Sequence, residues 1–292
     1  MRTVPLTQSL IRLLIALIQV TRPQIALQAA AYTLLGGYLS QPDRIAFSGQ
    51  LYFAAAMVGL VVSFGFLVND DADYELDRAT KPERPLVAGI MQRRHARALA
   101  AFLAASIALG SLLLPSTLTI FLLINLLLTL LYSVLFKRTV LLGNLCIAYL
   151  NASILLFGAI ASAGSSLLVL AVAAMSFGYS FAQEVLYTVD DYAGDAMAGI
   201  MTTAGFFGVA RSLWLFRGAL FLAIGFALWP WWVGVTSQLY AWGLLLCTIL
   251  PIMLRILPLT WTEDPQHIHQ ACRTVKWVRL SSLVPLLLIA VG

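Results

Sequence analysis

Residues 51–77 read LYFAAAMVGLVVSFGFLVNDDADYELD: eighteen uncharged residues and an asparagine, then acids at 70, 71, 73, 75 and 77. About 18 or more consecutive apolar residues cross the hydrocarbon core of a bilayer as a helix. The stretch therefore predicts a membrane-spanning helix whose end is loaded with carboxylates. Outward from it, charge-free runs recur over 23–42, 45–69, 98–136, 139–183, 218–254 and 280–292. The chain of 292 residues is 61% hydrophobic and 11% charged, whereas soluble domains carry about 25% charged residues.

The expected fold class is all-α: a polytopic membrane protein forming one domain over 1–292. Polar or proline-containing breaks at 115–117, 162–166 and 230–237 divide the longest runs. About nine helices follow, over 23–40, 51–68, 94–112, 117–136, 140–160, 166–187, 204–229, 236–257 and 276–292, around a central cavity. Basic residues gather in the N-terminal arm (Arg2, Arg12, Arg22) and after helices 2, 4 and 8, and the alternate loops hold only Arg44. The positive-inside rule then predicts a cytoplasmic N-terminus, with the loops after helices 2, 4, 6 and 8 sharing the cytoplasmic face. This asymmetry and attraction to anionic lipid account for the net charge of +5. No nucleic-acid motif is present, and membrane lipid is the expected surrounding partner.

Residues 13–20 predict an amphipathic surface helix, with Gln8, Arg12 and Gln19 on its polar side, in preference to a cleaved leader. Cys146, Cys247 and Cys272 are too scattered for a disulfide framework, and His267 and His269 read as part of a polar loop. Trp229, Trp231 and Trp232 read as a non-cytoplasmic aromatic belt.

Of thirteen acids, ten lie in two segments: Asp70, Asp71, Asp73, Glu75, Asp77 and Glu83, then Glu184, Asp190, Asp191 and Asp195. A single Asp at the bilayer centre costs about 2.5–3.5 kcal/mol on insertion scales, so the clusters need cations. On a continuing helix, Asn69, Asp73 and Asp77 recur at i, i+4 and i+8; Tyr187, Asp191 and Asp195 repeat the spacing 118 positions on. The constant offset hints at an internal duplication of a four-helix unit. Oxygen-only ligands suit a hard cation such as Mg²⁺, which takes one or two carboxylates and leaves other positions to waters and phosphates. With Lys81, Arg84, Lys137 and Arg138 nearby in topology, acids, metal and bases describe a diphosphate site on the cytoplasmic side.

The segment Asn69-Asp70-Asp71-Ala72-Asp73-Tyr74-Glu75-Leu76-Asp77 resembles the NDxxDxxxD signature of the UbiA superfamily of intramembrane prenyltransferases. The continuation from Arg78 through Lys81-Pro82-Glu83-Arg84-Pro85-Leu86 resembles its DxxxxKPxRPL extension, and Asp191 to Asp195 its second motif, DxxxD. Tyr132-Ser133, Lys137-Arg138 and Asn144 are similar to a further family pattern between helices 4 and 5.

The resemblance implies transfer of an isoprenyl chain from a prenyl diphosphate donor to a small-molecule acceptor, aromatic or another lipid precursor. It implies Mg²⁺ held by Asn69, Asp73, Asp77, Asp191 and Asp195, with the four aspartates and Tyr187 catalytic. Lys81, Arg84, Lys137 and Arg22 would bind diphosphate; Tyr132, Asn144 and Glu184 would line the substrate. Rings such as Tyr132, Tyr187 and Tyr192 would face the carbocation.

Many lipid-directed members read Arg-Glu and Lys-Asp where this chain has Gln183-Glu184 and Tyr187-Thr188, and Met201 replaces a common basic residue. Tyr187 resembles the hydroxybenzoate-directed branch. A class I terpene cyclase on the same scaffold shares these motifs. An ion-coupled transporter and a phosphoribosyl-transferring branch of the same fold are the more distant alternatives.

Overall fold

The structure, a computed structural model, describes residues 6–41 and 48–289, with side chains from Leu14 onward except at Thr80. It is all-helical, with no strand among the described residues. In chain order come α1 (Leu6–Thr21), α2 (Pro23–Ser40), α3 (Gly49–Ala72), α4 (Tyr74–Thr80), α5 (Arg93–Ser111), α6 (Ser116–Val134), α7 (Leu142–Ala161) and α8 (Leu167–Asp190). There follow α9 (Tyr192–Met197), α10 (Thr203–Phe207), α11 (Val209–Trp232), α12 (Gln238–Leu259), α13 (Pro265–Ser281) and α14 (Leu283–Leu288). Six of these, α3, α6, α7, α8, α11 and α12, are long and apolar enough to cross a membrane.

The chain divides into two compact units, one from α1 to α6 with the end of α7, the other from the rest of α7 and α8 to α14. Their central helices are alike in detail. Both α3 and α8 have 24 residues, and each is started by a serine: Ser48 Oγ accepts from Leu51 N at 3.2 Å and Ser166 Oγ from Val169 N at 3.1 Å. Such a cap satisfies an amide left without an intrahelical partner. Each helix ends on an aspartate of nearly identical backbone, Asp73 at φ −88°, ψ 2° and Asp191 at φ −87°, ψ 0°, after which a short helix resumes. The 118-residue offset read from the acids thus extends to whole elements, which supports duplication.

In the first unit α3 packs against α5, α6 and α1 through Leu51, Ala54, Val58, Val61 and Leu67. The α1 helix turns Ala16 and Val20 inward and leaves Leu14, Ile15, Ile18 and Gln19 outward. Gln8 and Arg12, expected on its polar side, lie outside the side chains described. The end of α7 crosses α2 so closely that a Cβ on Gly158 would stand 1.8 Å from the Thr33 carbonyl oxygen.

In the second unit α8 lies along α11, and Leu186, Val189, Phe216, Leu220, Ile256 and Val275 form the core that α13 completes. Proline at 251 withholds the amide that would bond Cys247 O, and α12 widens to π-helical turns on both sides of it. Ser281 Oγ of α13 donates to that Cys247 carbonyl at 2.5 Å.

Three expectations are corrected. The last helix does not run from 276: α13 begins at Pro265, where Asp264 accepts from Gln266 N at 2.9 Å, and stops at Ser281. Asp-Pro is a strong helix start, and the polar sequence behind it concealed the helix. His267 and His269 therefore ride on α13 instead of a loop. The predicted helix 204–229 is interrupted at Gly208, whose φ of 82° suits glycine and separates α10 from α11.

Gly158→Ala is expected to destabilise by about 1–3 kcal/mol, the range for overfilling a packed site, read as a lower thermal midpoint in detergent. Gly218→Ala, with open space around the same position of a Cβ in α11, is expected to hold or raise it.

Candidate functional site

The i, i+4, i+8 reading is realised as a chain of backbone bonds. Asp73 N donates to Asn69 O at 2.9 Å and Asp77 N to Asp73 O at 2.8 Å; Asp191 N donates to Tyr187 O and Asp195 N to Asp191 O, both at 2.9 Å. The three residues of each set consequently remain on one helical stripe across the bend at the central aspartate.

In the first unit Asn69 Nδ2 donates to Asp73 Oδ2 at 3.1 Å. Asp73 and Asp77 are buried, and so is Asp70. Asp70 Oδ1 accepts from Arg22 at 3.0 Å and Arg84 at 3.1 Å, and Arg84 also reaches Asp77 Oδ2 at 2.6 Å. Arg22 occupies the left-handed region (φ 45°) between α1 and α2 and stacks over the Phe66 ring at 4.3 Å. Two of the expected diphosphate ligands are thus assembled by Asp70, whose part sequence reasoning missed. Lys81 stands exposed at the end of α4. Asp71 takes a separate pair, Arg93 at 2.7 Å and Arg97 at 2.8 Å, tying α5 to the end of α3. Tyr132 is half-buried on α6.

In the second unit Asp191 is exposed and Asp195 half-buried. Burial raises the Asp195 carboxyl above its ordinary range and Asp191 adds to the rise, against Thr202 and Lys137. The Thr202 hydroxyl is buried beside Asp195 without a satisfactory hydrogen bond. Asn144 is buried, and its Oδ1 accepts from Thr203 Oγ1 at 2.5 Å, while the same Thr203 oxygen accepts from Leu141 N at 2.9 Å. This occupies the expected substrate-lining amide with a link between α10 and α7. Glu184 is half-buried within charge range of Arg279, Lys137 and Asp191. Tyr187 accepts from Gln183 Nε2 through its hydroxyl, and Lys276 lies 5.3 Å from its ring centre. Asp190 faces His269 Nδ1 at 3.2 Å. Arg279 and Lys276 read in the sequence only as basic residues following helix 8, and their helix begins at Pro265, well before the expected 276.

Among the described residues no three or more His, Cys, Asp or Glu side chains cluster tightly enough to hold a metal alone. Mg²⁺ uses one or two protein carboxylates and completes its shell with water and phosphate. The oxygen-only donors Asn69, Asp73, Asp77, Asp191 and Asp195 are of the kind such a hard cation takes.

The sequence model of the UbiA prenyltransferase family matches residues 29–281. The chain belongs to that family. This prenyltransferase is 36% identical over 200 residues to the digeranylgeranylglyceryl phosphate synthase of Methanoculleus marisnigri, covering 68% of this chain and 70% of the relative. It is 31% identical over 245 residues to the enzyme of that name from Hyperthermus butylicus, covering 80% and 81%. Its fold matches a solved structure of a digeranylgeranylglyceryl phosphate synthase with a TM-score of 0.79 at 23% identity, over 96% of this chain and 99% of that one. A UbiA homologue from Archaeoglobus fulgidus bound to GPP and Mg²⁺ matches with a TM-score of 0.67 at 16% identity, over 92% and 100%. Family membership and the six apolar helices make this chain an integral membrane prenyltransferase that moves an isoprenyl chain.

Because Asp70 holds two arginines, Asp70→Asn is expected to lower kcat/KM for the prenyl donor about tenfold or more, the scale of a lost charge-assisted hydrogen bond. Asp71→Asn, which releases only the α5 pair, is expected to stay within about threefold on the same measurement.

Proposed function

We propose that this prenyltransferase is Mg²⁺-dependent and joins a prenyl group to the free hydroxyl of an isoprenyl glyceryl phosphate. The observation that carries the acceptor is identity of 36% and 31% to enzymes named digeranylgeranylglyceryl phosphate synthase, over about two thirds or more of both chains. The name describes a glyceryl phosphate bearing two identical prenyl groups, so the last of them must be added to a lipid already carrying one.

In this reading Asn69, Asp73 and Asp77 of the first unit and Asp191 and Asp195 of the second are the Mg²⁺ ligands. Arg22, Lys81, Arg84 and Lys137 hold the donor diphosphate. Bound Mg²⁺ would neutralise negative charge developing on the leaving diphosphate. The guanidiniums of Arg22 and Arg84, already positioned by Asp70, add fixed positive charge for the same purpose. The allylic C–O bond breaks with its electron pair leaving on diphosphate, the acceptor oxygen bonds to that carbon, and the hydroxyl proton is released. Half-buried Tyr187 and Tyr132 offer ring faces to the intervening cation.

The proposal includes one catalytic domain, nine membrane crossings with α2, α5 and the α13–α14 stretch beside the six apolar helices, a cytoplasmic N-terminus and a site opening to the cytoplasm. The positive-inside asymmetry of Lys and Arg supports it.

Detergent-purified protein supplied with geranylgeranyl diphosphate, a geranylgeranylglyceryl phosphate and Mg²⁺ should yield the doubly prenylated lipid and diphosphate, and neither with EDTA. A hydrocarbon product formed without any acceptor would instead establish a cyclase. Asp73→Ala and Asp191→Ala should each reduce turnover at least about a hundredfold at normal membrane expression, the scale on which an electrostatic transition-state contact acts. Near-normal activity in both would remove the metal-ligand assignment.

A further inference from the structure

The two acidic helix ends are equivalent by position but unequal in charge. In the first unit Arg22 and Arg84 converge on the acids. The residues 118 positions on are Val140 and Thr202, and neither is a cation. Besides Lys137, which acts on Asp195 and Glu184, the second unit draws cations from α13. Arg279 on α13 extends to Asn151 Oδ1 of α7 at 3.1 Å and to Gln183 Oε1 of α8 at 3.5 Å. One turn earlier on α13, Lys276 lies against the Tyr187 ring.

Neutral amide oxygens orient a guanidinium without cancelling its charge. Among the described residues no carboxylate bonds directly to Arg279, and Glu184, beside Gln183, is the carboxylate within its charge range. Asn151 sits at the middle of apolar α7, and an ionisable side chain packed among membrane-spanning helices is expensive and marks function. Gln183 is eight residues before Asp191, about 12 Å along the helix axis, and Tyr187 is halfway. The cations therefore lie one to two turns below the acids of the second stripe.

We propose that Arg279 and Lys276, oriented by Asn151, Gln183 and Tyr187, bind the phosphate of the acceptor headgroup and select a phosphorylated glyceryl lipid over its neutral counterpart. The inference rests on the acceptor class given under Proposed function. Guanidinium and ammonium together supply a fork and a point charge for one phosphate.

The test compares two acceptors, geranylgeranylglyceryl phosphate and the same ether lipid lacking phosphate, for wild type, Arg279→Gln and Lys276→Gln, with donor KM and thermal midpoint measured alongside. Wild type should favour the phosphorylated acceptor by about tenfold or more in kcat/KM. Arg279→Gln should lose most of that preference through acceptor KM, with donor KM within about twofold. Lys276→Gln, at an exposed position, should lose part of it without a change in midpoint, and stands in if Arg279→Gln does not fold. Unchanged discrimination in the variants, an equal loss toward both acceptors, or a defect confined to donor KM would overturn the proposal. A wild type that makes no product from the glyceryl phosphate, yet prenylates another acceptor, would overturn the acceptor class itself.

Discussion

Carboxylates at the end of an apolar helix must be held against positive charge, and this requirement organises much of the chain. In the first unit three aspartates lie within or just beyond the last turn of α3 and a fourth on α4, and the structure answers with arginines from three separate places. Arg22 comes from the junction of α1 and α2, Arg84 from the segment after α4, and Arg93 with Arg97 from α5. A buried carboxylate stripped of its partner is far more costly than an exposed one. Each arginine therefore does two things, fixing the path of its own segment and setting the field at the acids.

Duplication supplies the scaffold and divergence supplies the chemistry. The serine caps, the 24-residue helices and the matching bends at Asp73 and Asp191 show one backbone design used twice. The side chains around it then separate. Buried Asp77 bonds Arg84 and buried Asp73 bonds Asn69, whereas Asp191 is exposed and Asp195 is half-buried beside Thr202. From α13, Arg279 reaches the amide oxygens of Asn151 and Gln183 in the second unit.

Much of this was legible in the residues because helical spacing is a local property. The stripes at 69, 73, 77 and at 187, 191, 195 needed only a helix that continues past its apolar segment, and backbone bonds carry it through. The long apolar helices were legible for the same reason, from hydropathy alone. What failed depended on contacts remote in sequence or on polar helix. The Asp70 partnership spans 48 residues to Arg22, and nothing in the motif distinguishes that carboxylate from its neighbours. The start of α13 at Pro265 was hidden because a hydropathy reading discards His267, His269 and Arg273, although Asp264-Pro265 marked it. With the helix misplaced, Arg279 looked like a loop cation.

The Thr203 hydroxyl, shared between the Leu141 amide and the Asn144 side chain, moors the stretch after α9 to the first turn of α7. Asp195 and the Lys137 turn are thereby anchored to a common post. Fraying of that stretch therefore costs the bonds at the start of α7 as well. A methyl in place of the Thr203 hydroxyl would remove both bonds at once and free the stretch after α9 from the start of α7.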